Sequence, residues 1–153
     1  MNGTEQISML RAITKNDIPQ LLVIENSVHV IPWTQESFRT CFSAGYLGWC
    51  IELENQMLGF IIVSQSIDEC HVLNLCVSRK YQHQGWGHKL LEYALDHARK
   101  RRIRIAYLEV RRSNVKAISL YQKMQFNLVG ERKGYYPTVA GQEDALIFAM
   151  SLL

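Results

Sequence analysis

The stretch CHVLNLCVSRKYQHQGWGHKLLEYALDHA, residues 70–98, constrains the fold more than any other. It opens on an apolar run that reads as a strand. It closes on Leu90, Leu91, Ala94, Leu95 and Ala98, one stripe at helical period. Between them stand Gly85 and Gly87, one residue apart. A second strand-like run, RIAYLEV at 104–110, follows a helix expected over about 86–101. A strand, a helix and a strand in that order form a crossover unit, so the two strands are expected to run parallel.

The rest of the chain reads as short elements in close succession. ISMLRAI (7–13) is a first strand, and Thr14 is placed to cap a helix that begins near Asn16. IPWTQESF (31–38) breaks at Pro32 and starts a second helix capped by Thr34. YLGWCIEL and MLGFIIVSQS form a hairpin around Glu54-Asn55-Gln56. Ser113 is expected to cap a fourth helix through about Gln125, and NLVGERKGYY and EDALIFAMSL are the last two strands. The expectation is a mixed α/β fold in one domain, 1–153. Its mostly antiparallel sheet contains a central parallel pair flanked by helices.

A chain of 153 residues buries roughly 68–70% of its unfolded surface and needs neither disulfide nor metal to fold. Cys41, Cys50, Cys70 and Cys76 form no C-x-x-C and no zinc spacing, so buried free thiols and no metal are expected. The net charge of +3 argues against a dedicated nucleic-acid binder. The basic run HARKRRIRI (97–105) reads as a solvated helix end whose cations complement the dipole. MNGTEQISML has no basic segment followed by an apolar core, and no apolar run spans a bilayer. A cytoplasmic protein, off the membrane and a monomer or weak dimer, is expected.

A helix N-terminus leaves its first amides without partners and carries about half a positive charge. Glycines let a phosphate approach that backbone closely. The turn at 82–88 is therefore suited to a diphosphate, though G-x-G alone equally fits a tight turn with no ligand. A Walker lysine followed by Ser or Thr is absent, and Leu90 stands where a dinucleotide fingerprint needs a third glycine.

Gln82-x-x-Gly85-x-Gly87 after an apolar strand resembles the acyl-coenzyme A signature of the GNAT N-acetyltransferases. The resemblance implies acetyl-coenzyme A as co-substrate. It places Gln82, His83, Gln84, Gly85, Trp86, Gly87 and His88 around the diphosphate, and Leu75, Cys76 and Val77 beside the pantetheine arm. LEVRRSNVKAISLYQKMQF, IPWTQESF and YYPTVAGQEDALIFAM further resemble one subgroup, the bacterial alanine N-acetyltransferases that modify the N-terminus of a small-subunit ribosomal protein. In that subgroup the glutamate matching Glu109 is the general base and the tyrosine matching Tyr121 the general acid. The asparagine matching Asn114 contacts the coenzyme. Trp33, Tyr135 and Tyr136 would flank the acceptor peptide, the tyrosines on the loop between the last two strands. Where the family ends its fourth helix in Leu-Gly-Phe, this chain has Met124-Gln125-Phe126.

The residues suit that chemistry. An ammonium must lose a proton before it attacks a thioester, and a carboxylate whose pKa an apolar strand raises can take it. A phenol can protonate the departing thiolate. Taken alone, Glu109 reads first as a carboxylate that faces solvent or pairs with Arg111 or Arg112. Trp33 is equally a core aromatic. An acetyltransferase acting on lysine or a small amine, and a non-catalytic acetyl-coenzyme A sensor, are the other readings.

Overall fold

The computed structural model describes residues 8–153. Along the chain run β1 (Ser8–Ala12), α1 (Ile18–Val28), α2 (Gln35–Ser43), β2 (Leu47–Leu53), β3 (Gln56–Gln65) and β4 (Glu69–Val77). They are followed by α3 (Trp86–Lys100), β5 (Ile105–Arg111), α4 (Val115–Lys123), β6 (Asn127–Thr138) and β7 (Gly141–Ser151). This is the expected order; Ile7 of the expected first strand lies outside the described residues. The sheet order is β1-β2-β3-β4-β5-β7-β6. As the crossover rule requires, β4 and β5 are parallel, with Glu69–Val72 opposite Ile105–Leu108. β1 pairs antiparallel with β2, and β7 pairs antiparallel with both β5 and β6.

The chain divides into two compact units. One reaches to Ile62 and includes Asn74–Leu91; the other comprises Val63–Leu73 and Glu92–Leu153. In the first, Leu21, Phe38, Ile51, Leu58, Phe60 and Ile61 are wholly buried. The Phe38 ring meets Phe60 edge-on at 5.8 Å and Trp33 at 5.3 Å. Each such side chain contributes roughly 1.5–3 kcal/mol by leaving water. The β2–β3 turn is Glu54-Asn55 with φ of 52° and 64°, the two-residue turn whose twist matches a hairpin. All four cysteines are buried and free, and burial pushes the Cys50 and Cys70 thiols up to about 11.

In the second unit β5 alternates strictly. Ala106, Leu108 and Val110 are buried, while Tyr107, Glu109 and Arg111 look out from the other face. α4 is capped by Asn114, whose Oδ1 accepts from Ala117 N–H at 3.2 Å. The expected cap, Ser113, instead donates its hydroxyl to Glu143 at 3.1 Å. Glu143, on the neighbouring hairpin, also accepts from the Ser113 N–H at 3.3 Å and so anchors that residue outside the helix, and the cap falls one residue on.

Three helices end in the same way. After α2, α3 and α4 the amide five residues along returns to close the last turn: Tyr46 to Cys41, Ile103 to Ala98, and Phe126 to Tyr121, each 3.0–3.1 Å. The left-handed position is Gly45 in the first, Arg102 (φ 62°) in the second and Gln125 (φ 73°) in the third. Gln125 thus takes the left-handed conformation that glycine adopts most easily, and the Phe126 ring packs against Tyr121 at 5.9 Å. Replacing Gln125 by glycine is expected to stabilise the protein by about 1 kcal/mol, the cost a side chain incurs at positive φ, read as a higher urea midpoint at unchanged slope.

Candidate active site

The second unit gathers the predicted catalytic carboxylate and the tyrosines. The β4 pairing of β5 ends at Leu108, one residue before Glu109, while β7 continues alongside through Arg111. The Glu109 side chain is 8% exposed. Its Oε2 lies 2.5 Å from His71 Nε2 and its Oε1 3.7 Å from Arg132 Nη2. It pairs with neither Arg111 nor Arg112, which engage Glu143 and Glu131. The expected rise in its pKa is also not what the structure gives. Burial pushes the carboxyl up, but the hydrogen bond and charge of His71, with Arg132 behind them, outweigh it and hold the group below the ordinary glutamate value. Glu109 is therefore ionised at neutral pH.

Tyr135 and Tyr136 lie inside β6, not on the loop that follows it; that turn is only Val139-Ala140. A bulge explains the difference. Arg132 pairs with Ala145 and Tyr136 with Glu143, so three residues of β6 oppose one of β7. Gly134 (φ 58°) makes the bend, and its N–H donates to Asp144 Oδ1 at 2.9 Å. Glu143 takes Arg111 Nη1 at 3.0 Å, and that guanidinium stacks 4.5 Å over the Tyr136 ring. The EDA segment thus builds the mount for both tyrosines. Tyr135 is 47% exposed and crosses Tyr136 edge-on at 4.9 Å. Burial, then the charge of Glu109, pushes the Tyr136 phenol well up, with smaller influences from Tyr135, Arg111 and Tyr121. Tyr121 is buried, packed on Phe126 and Phe148, and desolvation pushes its phenol up to about 12. It stays protonated at every working pH and so keeps a proton to donate. Asn114, its Oδ1 used in the cap, is left with its amide NH₂ for a ligand.

The first unit holds the turn and the other predicted contacts. Gly85 takes φ 89° and opens onto space, since a Cβ there would meet nothing within 4 Å; conformation, not crowding, selects glycine. The first bond within α3 runs from Lys89 N–H to Gly85 O, 3.1 Å, so the amides of Trp86 and Gly87 precede it, as an anion site requires. The Gln82 side chain donates to Val77 O at 3.0 Å and ties the turn to the end of β4. Trp33 stands on the α1–α2 connection, half-buried. Its backbone N–H donates to Glu25 Oε2 and the Asn74 amide donates to Oε1, both at 2.9 Å. Glu25 is thus a fully buried anchor between the Trp33 segment and β4. Cys76 and His29 each bring a ligand atom within 4.8 Å of it, but both Glu25 oxygens already accept these bonds.

Sequence reading passed over Glu25, Asn74, His71 and Arg132. The signal for Glu25 was a carboxylate on the apolar stripe of α1; for His71 it was a lone imidazole in an alternating strand.

The profile of the "Acetyltransferase (GNAT) family" matches residues 18–126. The chain belongs to the GNAT acetyltransferase family. It is an acetyl-coenzyme A-dependent N-acetyltransferase, and GNAT enzymes use that co-substrate. It is similar to the "[Ribosomal protein bS18]-alanine N-acetyltransferase" of Escherichia coli K12, with 35% identity over 95% of this chain and 99% of that one. The enzyme of that description from Haemophilus ducreyi is 34% identical over 94% and 100%. The crystal structure of the Escherichia coli ribosomal-protein-S18-alanine N-acetyltransferase superposes with a TM-score of 0.90, at 35% identity over 95% of this chain and 94% of that one. Arabidopsis thaliana NAA60 in complex with acetyl-CoA, 21% identical over 95% and 98%, shares the fold with a TM-score of 0.84. None of the helices among the described residues is long and apolar enough to cross a membrane.

Glu25→Ala strips two donors, Asn74 buried and Trp33 partly so, of their acceptor at about 1–3 kcal/mol each. A loss of about 2–6 kcal/mol in unfolding free energy is expected by urea denaturation.

Proposed function

We propose that this GNAT enzyme acetylates the α-amino group of the N-terminal alanine of its host's ribosomal protein bS18, in the cytoplasm, with Glu109 as general base and Tyr121 as general acid. The observation that carries the substrate is the 35% identity running almost end to end with enzymes of that specificity. The buried, ionised Glu109 supports the mechanism.

Each residue then has one task. Amides of the Gly85–Gly87 turn, with Gln82, His83, Gln84, Trp86 and His88, hold the coenzyme's diphosphate. Leu75, Cys76 and Val77 lie along its pantetheine arm, and Asn114 donates to it. Trp33, Tyr135 and Tyr136 flank the peptide. Glu109 takes one proton from the ammonium, and the freed nitrogen pair attacks the acetyl carbonyl while β4 amides steady the oxyanion. As the carbon–sulfur bond breaks, Tyr121 gives its proton to the thiolate, and the acylated nitrogen releases its second proton, which restores the phenol through water. Glu109 then returns its proton to water, and no acetyl-enzyme forms.

Magnitudes favour a chain terminus over lysine. Moving a proton to an ordinary glutamate, pKa ~4.3, costs about 5 kcal/mol from an α-ammonium at ~7.7–8.0 and about 8 from lysine at ~10.4. Because Glu109 lies below the ordinary value, both costs are minima. A turnover of ~10 s⁻¹ tolerates a total barrier of about 16 kcal/mol, which leaves room for the first cost and little for the second.

Glu109→Gln is expected to lower kcat by about 10²–10⁴ and Tyr121→Phe to lower it as well, with acetyl-coenzyme A binding by calorimetry retained in both. Wild-type enzyme should acetylate a peptide with the bS18 N-terminus and leave a terminally blocked, lysine-bearing peptide unmodified; the reverse preference would refute the substrate. Since Glu109 is ionised below its ordinary pKa, kcat/KM should stay level from about pH 5.5 to the amine's own ionisation near ~7.7–8.0. A drop below pH 7 would contradict the assigned state of the base.

A further inference from the structure

We propose that His71 is a positioning residue for Glu109: its ring N–H holds Oε2 and so aims Oε1 at the amine to be acetylated. This rests on Glu109 being the base. The contact is 2.5 Å between His71 Nε2 and Glu109 Oε2. An ionised carboxylate only accepts, so the hydrogen between them belongs to the imidazole. Oε1 is not occupied in the same way by Arg132, whose Nη2 stays at 3.7 Å, beyond hydrogen-bond range, and whose side chain is 54% exposed.

Strand register creates the arrangement. His71 lies opposite Tyr107 in the parallel β4–β5 pair, which puts it on the outward face of β5 and one pleat short of Glu109. The Tyr107 ring stacks on the imidazole at 4.3 Å and 12°, so the donor is itself held. A glutamate's last torsion is broad and roughly two-fold, and a single fixed donor on one oxygen is what selects the other for chemistry. The titratable or charged groups facing Glu109 are His71 from β4, Tyr107 from β5, and Arg132 and Tyr136 from β6. β7 offers Ile147, its register partner. Of these, His71 is the one within hydrogen-bond distance of the carboxylate.

Two substitutions separate the donor from the ring. His71→Phe keeps an aromatic face for Tyr107 and removes the N–H; His71→Gln keeps an N–H and removes the ring. His71→Phe is expected to lower kcat by up to about a hundredfold at pH 7 with KM for the peptide unchanged. It should also bring an acid limb of kcat/KM up into the accessible range, because burial then acts on Glu109 with only Arg132 and the residue's own backbone N–H opposing it. A carbon-13 titration of the Glu109 carboxyl, which needs no activity, should move the same way. His71→Gln should recover most of the lost kcat. A His71→Phe enzyme with wild-type kcat and pH profile, a loss confined to KM, or equal losses in both variants would each overturn the inference. Glu109→Gln tells the two readings apart: an inert Glu109→Gln with His71→Phe unimpaired sinks only the role of His71, whereas an active Glu109→Gln sinks the base itself.

Discussion

An ionised carboxylate cannot sit at 8% exposure in the middle of a strand unless its surroundings replace the water it has lost. That requirement organises the second unit. β4 supplies an imidazole, β6 supplies a guanidinium, and β7 lies between β5 and β6 so that its hairpin can carry the guanidinium back over the face. The parallel pairing of β4 with β5 matters because it sets which β4 side chain meets Glu109. A slip of one residue would turn His71 to the opposite face and leave the charge uncompensated.

Tyr121, the proposed acid, is held by different means. Tyr121 carries no charge, so it can be packed like a core residue, and Phe126 and Phe148 do so. Its carbonyl is the acceptor that ends α4, through Phe126 N–H at 3.0 Å. One short segment therefore terminates a helix, covers a ring and locates a phenol. The Glu109 carboxylate depends on charged and polar side chains from β4 and β6, whereas Tyr121 depends on local backbone geometry and apolar contact.

Much of this could be read from the residues. Periodicity and the crossover rule give the element order and the parallel pair, because both are local consequences of side-chain spacing. The hairpin turn at Glu54-Asn55 and the Thr34 cap follow from local backbone chemistry. What escaped reading was set by distant partners. Nothing near Ser113 announces that Glu143, thirty residues on, will take its hydroxyl. The bulge that draws Tyr135 and Tyr136 into β6 depends on Asp144 and Gly134 meeting across a hairpin. The direction of the Glu109 shift needed His71, thirty-eight residues away, to be known as a neighbour. Burial alone predicts the opposite sign.

The bulge has a consequence for how such a site can change. Between Arg132 and Tyr136 the chain takes four steps while β7 takes two, both even, so the two β6 residues share a side of the sheet. Lengthening or shortening that segment by one amino acid would break the parity and exchange which of the neighbouring tyrosines looks toward the carboxylate. Diversification of this surface is therefore channelled into replacing side chains, or into indels of two, while the spacing itself behaves as a fixed frame.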